Sequence, residues 1–361
     1  MSQASTAANT FSAPLPWQVS QWLQLNRARS NDSLAHAYLF AGCEGLGKSL
    51  FAHSFAKSVL CQSPVKKQIA ATESSADSVS ELDVACGACS NCLKGGVGNH
   101  PDLLSIEPEE GSKNIKIDQI RRLSEFVIRS SHSGGAKFAI IEQAHLLNGN
   151  AANALLKTLE EPNRNTHVIL VSDYPGRLVA TIRSRCQKLA FPTPSSETTS
   201  GWLQQYVGGG NIDTLLQAAD GRPLTALRLS EGDSLEARAQ FLQSLCDMKL
   251  GQKSIQQVVA LSAKIGESEV LQHLSVFLTK LIKYSLVGAL ESDTDPALDA
   301  LRTLLGPPVD KATTQPLASA LSHFYIDVET ARKQLASSTN PNPQLIMDSI
   351  LWRWSKLSLS C

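Results

Sequence analysis

Apolar residues fall along this chain in two rhythms. In the first half, short unbroken apolar runs alternate with stretches whose apolar positions recur every three to four residues; in the second half only the helical rhythm persists. The runs at 36–41 (HAYLFA), 102–107 (DLLSIE), 137–142 (KFAIIE), 167–172 (HVILVS) and 187–191 (QKLAF) predict five strands. The third is continuously apolar from Phe138 to Ile141, as expected of a central parallel strand covered on both faces. Between them, 17–26, 49–60, 117–130 and 150–162 carry helical spacing. In 117–130, Ile117, Ile120, Leu123 and Val127 form one stripe, broken by Gly134-Gly135; Pro162 is expected to stop the last of the four. Strands alternating with helices predict an α/β unit, a parallel sheet with helices on both faces.

Outside that alternation, residues 1–13 are small and polar and are expected to be disordered. Residues 63–85, polar and poor in aromatics, read as a flexible insertion. PTPSS at 192–196 is a linker, 197–230 reads as a small helical lid, and 235–361 as all-helical, with LWRW (351–354) packing into that bundle. The expected organisation is a disordered 1–13, an α/β domain over 14–193 with an insertion at about 61–92, a helical lid over 194–234 and a helical domain over 235–361.

Composition narrows the function. The chain has 361 residues, enough for two or three domains, and is 42% hydrophobic and 18% charged, ordinary for a protein with a real core. Its 33 basic and 33 acidic residues cancel. That balance, with no aromatics interleaved among basic residues, argues against a stand-alone zinc-containing nucleic-acid binder. MSQASTAANTFSAPLP has neither a basic n-region nor an apolar h-region, and no run of about 18 apolar residues occurs, so no leader, no membrane span and a cytoplasmic location are expected. Eight cysteines there point to metal or free thiols before disulfides. Cys43, Cys186, Cys246 and Cys361 are scattered and read as isolated thiols.

Two patterns carry chemistry. Gly42-Cys43-Glu44-Gly45-Leu46-Gly47-Lys48-Ser49 matches G-x-x-x-x-G-K-[ST] between a predicted strand and a predicted helix. Gly42, Gly45 and Gly47 let the backbone close around phosphate oxygens, the helix start adds partial positive charge, Lys48 would reach the β and γ phosphates and Ser49 would ligate Mg²⁺. The alternative is a glycine-rich turn that merely descends from a nucleotide site. An ATPase of this kind also needs an acidic pair ending a strand, one residue for the metal and one for the attacking water. Here the strand ends Glu142-Gln143. Glu142 can still serve the metal, through a side chain one methylene longer than aspartate; Gln143 cannot take a proton from water, and loss of a general base costs on the order of 10²–10⁴ in rate. The second pattern is Cys61 followed by Cys86-Gly-Ala-Cys89-Ser-Asn-Cys92, four thiols suited to tetrahedral Zn²⁺. An iron–sulfur reading lacks its C-x₃-C-P continuation, and a metal-free reduced loop remains open.

ALLKTLEEP (154–162) and THVILVSDYPGRLVATIRSRC (166–186) resemble the bacterial clamp-loader family of DNA polymerase III, which contains the gamma/tau motor subunits and the delta-prime subunit. The resemblance covers 15–230 and fades over the C-terminal helices. It implies an AAA+ P-loop domain with a zinc-binding insertion, a helical lid and an all-α collar; structural zinc on Cys61, Cys86, Cys89 and Cys92; and ATP or ADP with Mg²⁺ held by Gly42, Gly45, Gly47, Lys48, Ser49 and Glu142, with Ser172 at the first-sensor position. A strand-end cap is the other reading of Ser172. Arg185 falls on the family's Ser-Arg-Cys arginine finger, catalytic in trans at a neighbour's ATP site; the competing role is a structural arginine paired with Glu160 or Glu161. Two departures set the chain apart from the motor: Gln143, and Leu224 where the lid of the family carries a nucleotide-sensing arginine, with Arg222 two residues earlier. The implied role is a delta-prime-type subunit with little or no ATPase of its own, in a heteropentamer with gamma/tau and delta subunits, meeting the sliding clamp and primer-template DNA through that complex. A catalytically active gamma/tau-like ATPase is the alternative.

Overall fold

Continuous apolar runs become buried strands, because a strand covered by helices on both faces has no solvent side to spend on polar residues. The computed structural model describes residues 14–70, 79–96, 98–109, 112–161, 163, 165–207, 211–231, 234–287, 311–335 and 341–358. The chain divides into two compact units, Met1–Trp202 and Leu203–Cys361. The expectations for 1–13, for the Pro162 stop and for Cys361 lie outside the described residues.

In the first unit, helix α1 (Val19–Ser30) precedes β1 (Ala37–Ala41), α2 (Lys48–Leu60), β2 (Val65–Ala70), β3 (Val79–Val84), α3 (Ser90–Gly96), β4 (Leu103–Ile106), α4 (Ile117–Ile128), β5 (Lys137–Ile141), α5 (Gly149–Glu160), β6 (Thr166–Ser172), α6 (Ala180–Arg183) and β7 (Gln187–Ala190). Five strands form one sheet in the order β4-β5-β6-β1-β7, every neighbouring pair parallel. Alternate residues of β1 feed two cores. Tyr38 and Phe40 pack with Trp22 of α1 and Phe51 and Phe55 of α2. Ala37, Leu39 and Ala41 face Ile120 and Leu123 of α4 and Leu155 of α5. The expected sheet with helices on both faces is present, and β5 lies inside it as predicted.

One expectation needs correction. The segment 63–85 is no featureless insertion: β2 and β3 pair antiparallel, with Val65 opposite Val84 and Lys67 opposite Leu82. The reason is tertiary. Leu82 is fully buried in the aromatic core, and the Trp22 indole donates to the Asp83 carbonyl (3.2 Å), so few apolar side chains suffice to seat the ribbon. Burying one leucine contributes roughly 1.5–3 kcal/mol.

The second unit continues with helices among its described residues, from α7 (Ser196–Leu203) at the boundary through α8 (Ile212–Ala218), α9 (Pro223–Ser230), α10 (Ser234–Lys249), α11 (Ile255–Ile265), α12 (Glu267–Val287), α13 (Lys311–Leu335) and α14 (Pro343–Lys356). Phe241, Leu245, Phe277, Leu321 and Phe324 share its core with Trp354, whose indole donates to the Leu245 carbonyl (3.0 Å). Of the 351–354 segment, Leu351 and Trp354 are buried while Trp352 is exposed.

Candidate functional site

The phosphate loop leaves β1 at Ala41, where the sheet's carboxyl edge is flanked by β6 and β7. Gly42 has no room for a side chain: a Cβ there would lie 2.3 Å from the Phe191 carbonyl oxygen. Gly45 (φ 82°) and Gly47 (φ 78°) take the left-handed backbone that lets the loop fold back before α2 begins at Lys48. The loop is also held from outside. The Trp17 indole donates to the Leu46 carbonyl (3.0 Å), and the Gln18 amide donates to the carbonyls of Leu46 (2.8 Å) and Gly47 (3.0 Å). Gly42→Ala is expected to destabilise this unit by about 1–3 kcal/mol through overpacking. The measurement is a lower denaturant midpoint at unchanged slope; an unchanged midpoint would show that the loop has slack.

Lys48 is buried, and its ammonium donates to the Cys43 carbonyl (2.5 Å) and to Asp173 Oδ1 (2.6 Å). A buried ammonium needs such a partner, since leaving one uncompensated costs several kcal/mol. One residue further on, the Ser49 hydroxyl donates to Glu142 Oε2, and His53 Nε2 lies 2.7 Å from Glu142 Oε1, so the carboxylate fixes that nitrogen as the donor. The structure thus shows where the extra methylene of Glu142 takes its carboxylate: onto the hydroxyl that would ligate Mg²⁺. Hard oxygen donors from Ser49 and Glu142 suit that ion. Gln143 follows with φ 46° and begins the turn Ala144–Leu146. Ser172 is buried at the end of β6, its hydroxyl 3.5 Å from His145 Nδ1. Burial holds His145 below the ordinary imidazole range.

Gly42, Gly45, Gly47, Lys48, Ser49, Glu142 and Ser172 therefore meet at one edge of the sheet. Asp173, His53 and the Trp17–Gln18 clasp join them, and sequence reasoning missed all of these. Asp173 sits beside Ser172 in the family-like segment, which was the available signal.

Arg185 follows α6 and is 36% exposed. Its guanidinium pairs with Glu160 Oε1 (2.7 Å) and donates to the Thr181 carbonyl (2.9 Å). The pairing with Glu160 is the contact that the structural alternative requires. Arg222, in the second unit, is buried at the start of α9; it donates to the Ala219 carbonyl (2.7 Å), and its guanidinium lies against the Gln272 side-chain amide.

The four cysteines converge. Cys61 ends α2, and Cys86, Cys89 and Cys92 lead into and along α3; their sulfurs all lie within 4.8 Å of one another. The Cys61–Cys92, Cys61–Cys89 and Cys86–Cys92 separations of 3.6, 3.8 and 3.9 Å match a tetrahedron around a metal bound at ~2.3 Å, whose edges are about 3.8 Å. Backbone N–H groups pull the Cys86 thiol down and bring Cys89 to about 6, while burial pushes Cys92 up to about 12. The donor set fits a metal: backbone N–H groups favour the thiolate at Cys86 and Cys89, and a cation would compensate the desolvated Cys92. Of the other described cysteines, Cys43, Cys186 and Cys246 form no disulfide, in line with the reading of isolated thiols.

Comparison with known proteins follows the same lines. Residues 17–195 match a family described as "DNA polymerase III, delta subunit". The chain is 32% identical to DNA polymerase III subunit delta' of Pseudomonas aeruginosa, covering 95% of this chain and 97% of that one. It is 31% identical to the Escherichia coli subunit delta' over 88% of each chain. Similarity extends to subunit tau of Bacillus subtilis at 31% identity, covering 57% of this chain and 34% of tau.

Proposed function

Since the chain belongs to the delta' family of DNA polymerase III subunits, we propose that within the clamp loader it acts as the subunit that completes a neighbour's ATP site while hydrolysing little or no ATP itself. Membership of the clamp-loader complex and a role in DNA replication come with the family. The division of labour inside that complex is our reading. One observation carries it: at the end of β5 the available carboxylate, Glu142, is engaged by Ser49 and His53, and the next residue is the amide Gln143. A site so built can hold a nucleotide and Mg²⁺ through Gly42, Gly45, Gly47, Lys48, Ser49 and Glu142, with Ser172 beside them, but the residue that follows Glu142 is an amide, which cannot draw a proton from water.

Arg185 is the residue to lend. A planar guanidinium can neutralise a γ-phosphate as charge develops. Its partner Glu160 is 49% exposed, and an exposed pair of this kind contributes only about 0–1 kcal/mol. Exchanging Glu160 for a phosphate oxygen across an interface therefore costs little. Structural zinc on Cys61, Cys86, Cys89 and Cys92 would pin the ribbon and α3 to the end of α2; four sulfur ligands leave no open position for catalysis. The domain assignment is an AAA+ domain over 14–193, a lid over 194–234 and a collar over 235–361, in a heteropentamer with gamma/tau and delta subunits that acts on the sliding clamp and primed DNA in the cytoplasm. Among the described residues no helix is long and apolar enough to cross a membrane.

Reconstitution tests this reading. Motor and delta subunits are expected to need this chain for DNA-stimulated hydrolysis, while the purified chain alone turns over well below ~1 s⁻¹, the low end of ordinary enzymes. Sustained turnover by the chain alone would place it with the motors instead.

A further inference from the structure

We propose that Asp173 is a tethered anion on the phosphate-loop lysine, so that nucleotide must displace a carboxylate of the protein's own chain before Lys48 can grip a phosphate. The inference rests on the nucleotide reading of the loop and adds a residue that sets its affinity. Three observations carry it. Lys48 is 3% exposed, so bulk water does little to neutralise its charge, and Asp173 Oδ1 at 2.6 Å does so. The other described hydrogen bond of the ammonium goes to Cys43 within the loop itself, which keeps Lys48 aimed along the loop and toward Asp173. Asp173 is 21% exposed and immediately follows β6, where the backbone leaves the sheet, so its side chain has solvent to retreat into.

A phosphate oxygen within hydrogen-bond reach of Lys48 would lie a few ångströms from that carboxylate. Two like charges at such a distance, in surroundings less polar than water, repel by enough to change an affinity about tenfold or more. Asp173 therefore makes binding an exchange of one anion for another: the folded loop stays charge-compensated, and polyphosphate binding is weakened by the same contact.

The experiment is titration of full-length wild-type and Asp173→Asn proteins with Mg²⁺–ATP and, separately, with inorganic pyrophosphate, followed by calorimetry. Asp173→Asn keeps the shape and removes the charge; Asp173→Ser serves if the first variant is poorly folded. The expected result is at least about tenfold tighter binding of both probes in the variant, with a thermal midpoint that is lowered without ligand and recovers on adding pyrophosphate. Equal or weaker binding by the variant, with wild-type protein still binding ATP, overturns the role of Asp173 and leaves the nucleotide site standing. If neither protein binds either probe at millimolar concentration, both readings fall.

Discussion

Replacing Arg185 with alanine is expected to leave the assembled complex intact and to slow hydrolysis at the neighbouring ATP site by about 10³-fold, the lower end of what an arginine supplied in trans contributes. The expectation follows from what the residue gives up and what it does not. Among the described residues its guanidinium makes one exposed ion pair to Glu160 and one bond to the Thr181 carbonyl; losing them removes about 1 kcal/mol or less from folding. In the proposed role, what alanine cannot supply is a positive charge for the developing anion. A lysine in its place restores charge without the planar fork and should recover only part of the rate. Glu160→Gln provides the control: it frees the guanidinium and should leave hydrolysis at or above the wild-type level. The readout is single-turnover hydrolysis in the reconstituted complex, with assembly followed by size-exclusion chromatography. Loss of assembly in Arg185→Ala would make the arginine structural; unchanged turnover would remove it from the neighbour's site.

The second large effect concerns the metal. Wild-type protein should carry one zinc per chain, and Cys92→Ser should carry almost none. Apparent binding free energies for structural zinc are about 10–16 kcal/mol in small peptides, and Cys92 is the ligand whose thiolate burial most disfavours without a cation. The consequence should be local. Amide exchange is expected to accelerate through 81–96, while β5 and β6, whose core of Phe138, Ile140, Val168 and Leu170 does not include the cysteines, keep their protection. Chelation of the wild-type protein should reproduce the pattern. A metal-free protein with full protection across 81–96 would refute structural zinc.

Strands β1, β5 and β6 were readable because each is a dense apolar run, β4 and β7 at the sheet edges from shorter apolar stretches between polar residues, and the phosphate loop and cysteine cluster because their chemistry is fixed by spacing over a few residues. What escaped was decided by contacts far along the chain. The β2–β3 ribbon buries little of its own; Leu82 and the Asp83 carbonyl settle it against Trp22, about sixty positions earlier. Asp173 meets Lys48 across 125 positions and His53 meets Glu142 across 89, so neither pairing leaves a local pattern. The ambiguity of Arg185 was visible in the sequence, since Glu160 stands in the preceding family-like stretch, and the structure realises the intramolecular half of it.

Helix α2 has a further consequence. It starts at Lys48 and is capped by Cys61, so one rod of thirteen residues, roughly 20 Å long, carries the lysine at its head and a sulfur of the knuckle at its tail. Any tilt imposed by a ligand at the head must swing the tail through an arc, dragging the knuckle and its ribbon with it. A metal clamp bound at the far end would act as ballast: it would stiffen the lever that a bound phosphate would have to move, and a spectroscopic label on the knuckle would report events at the opposite tip.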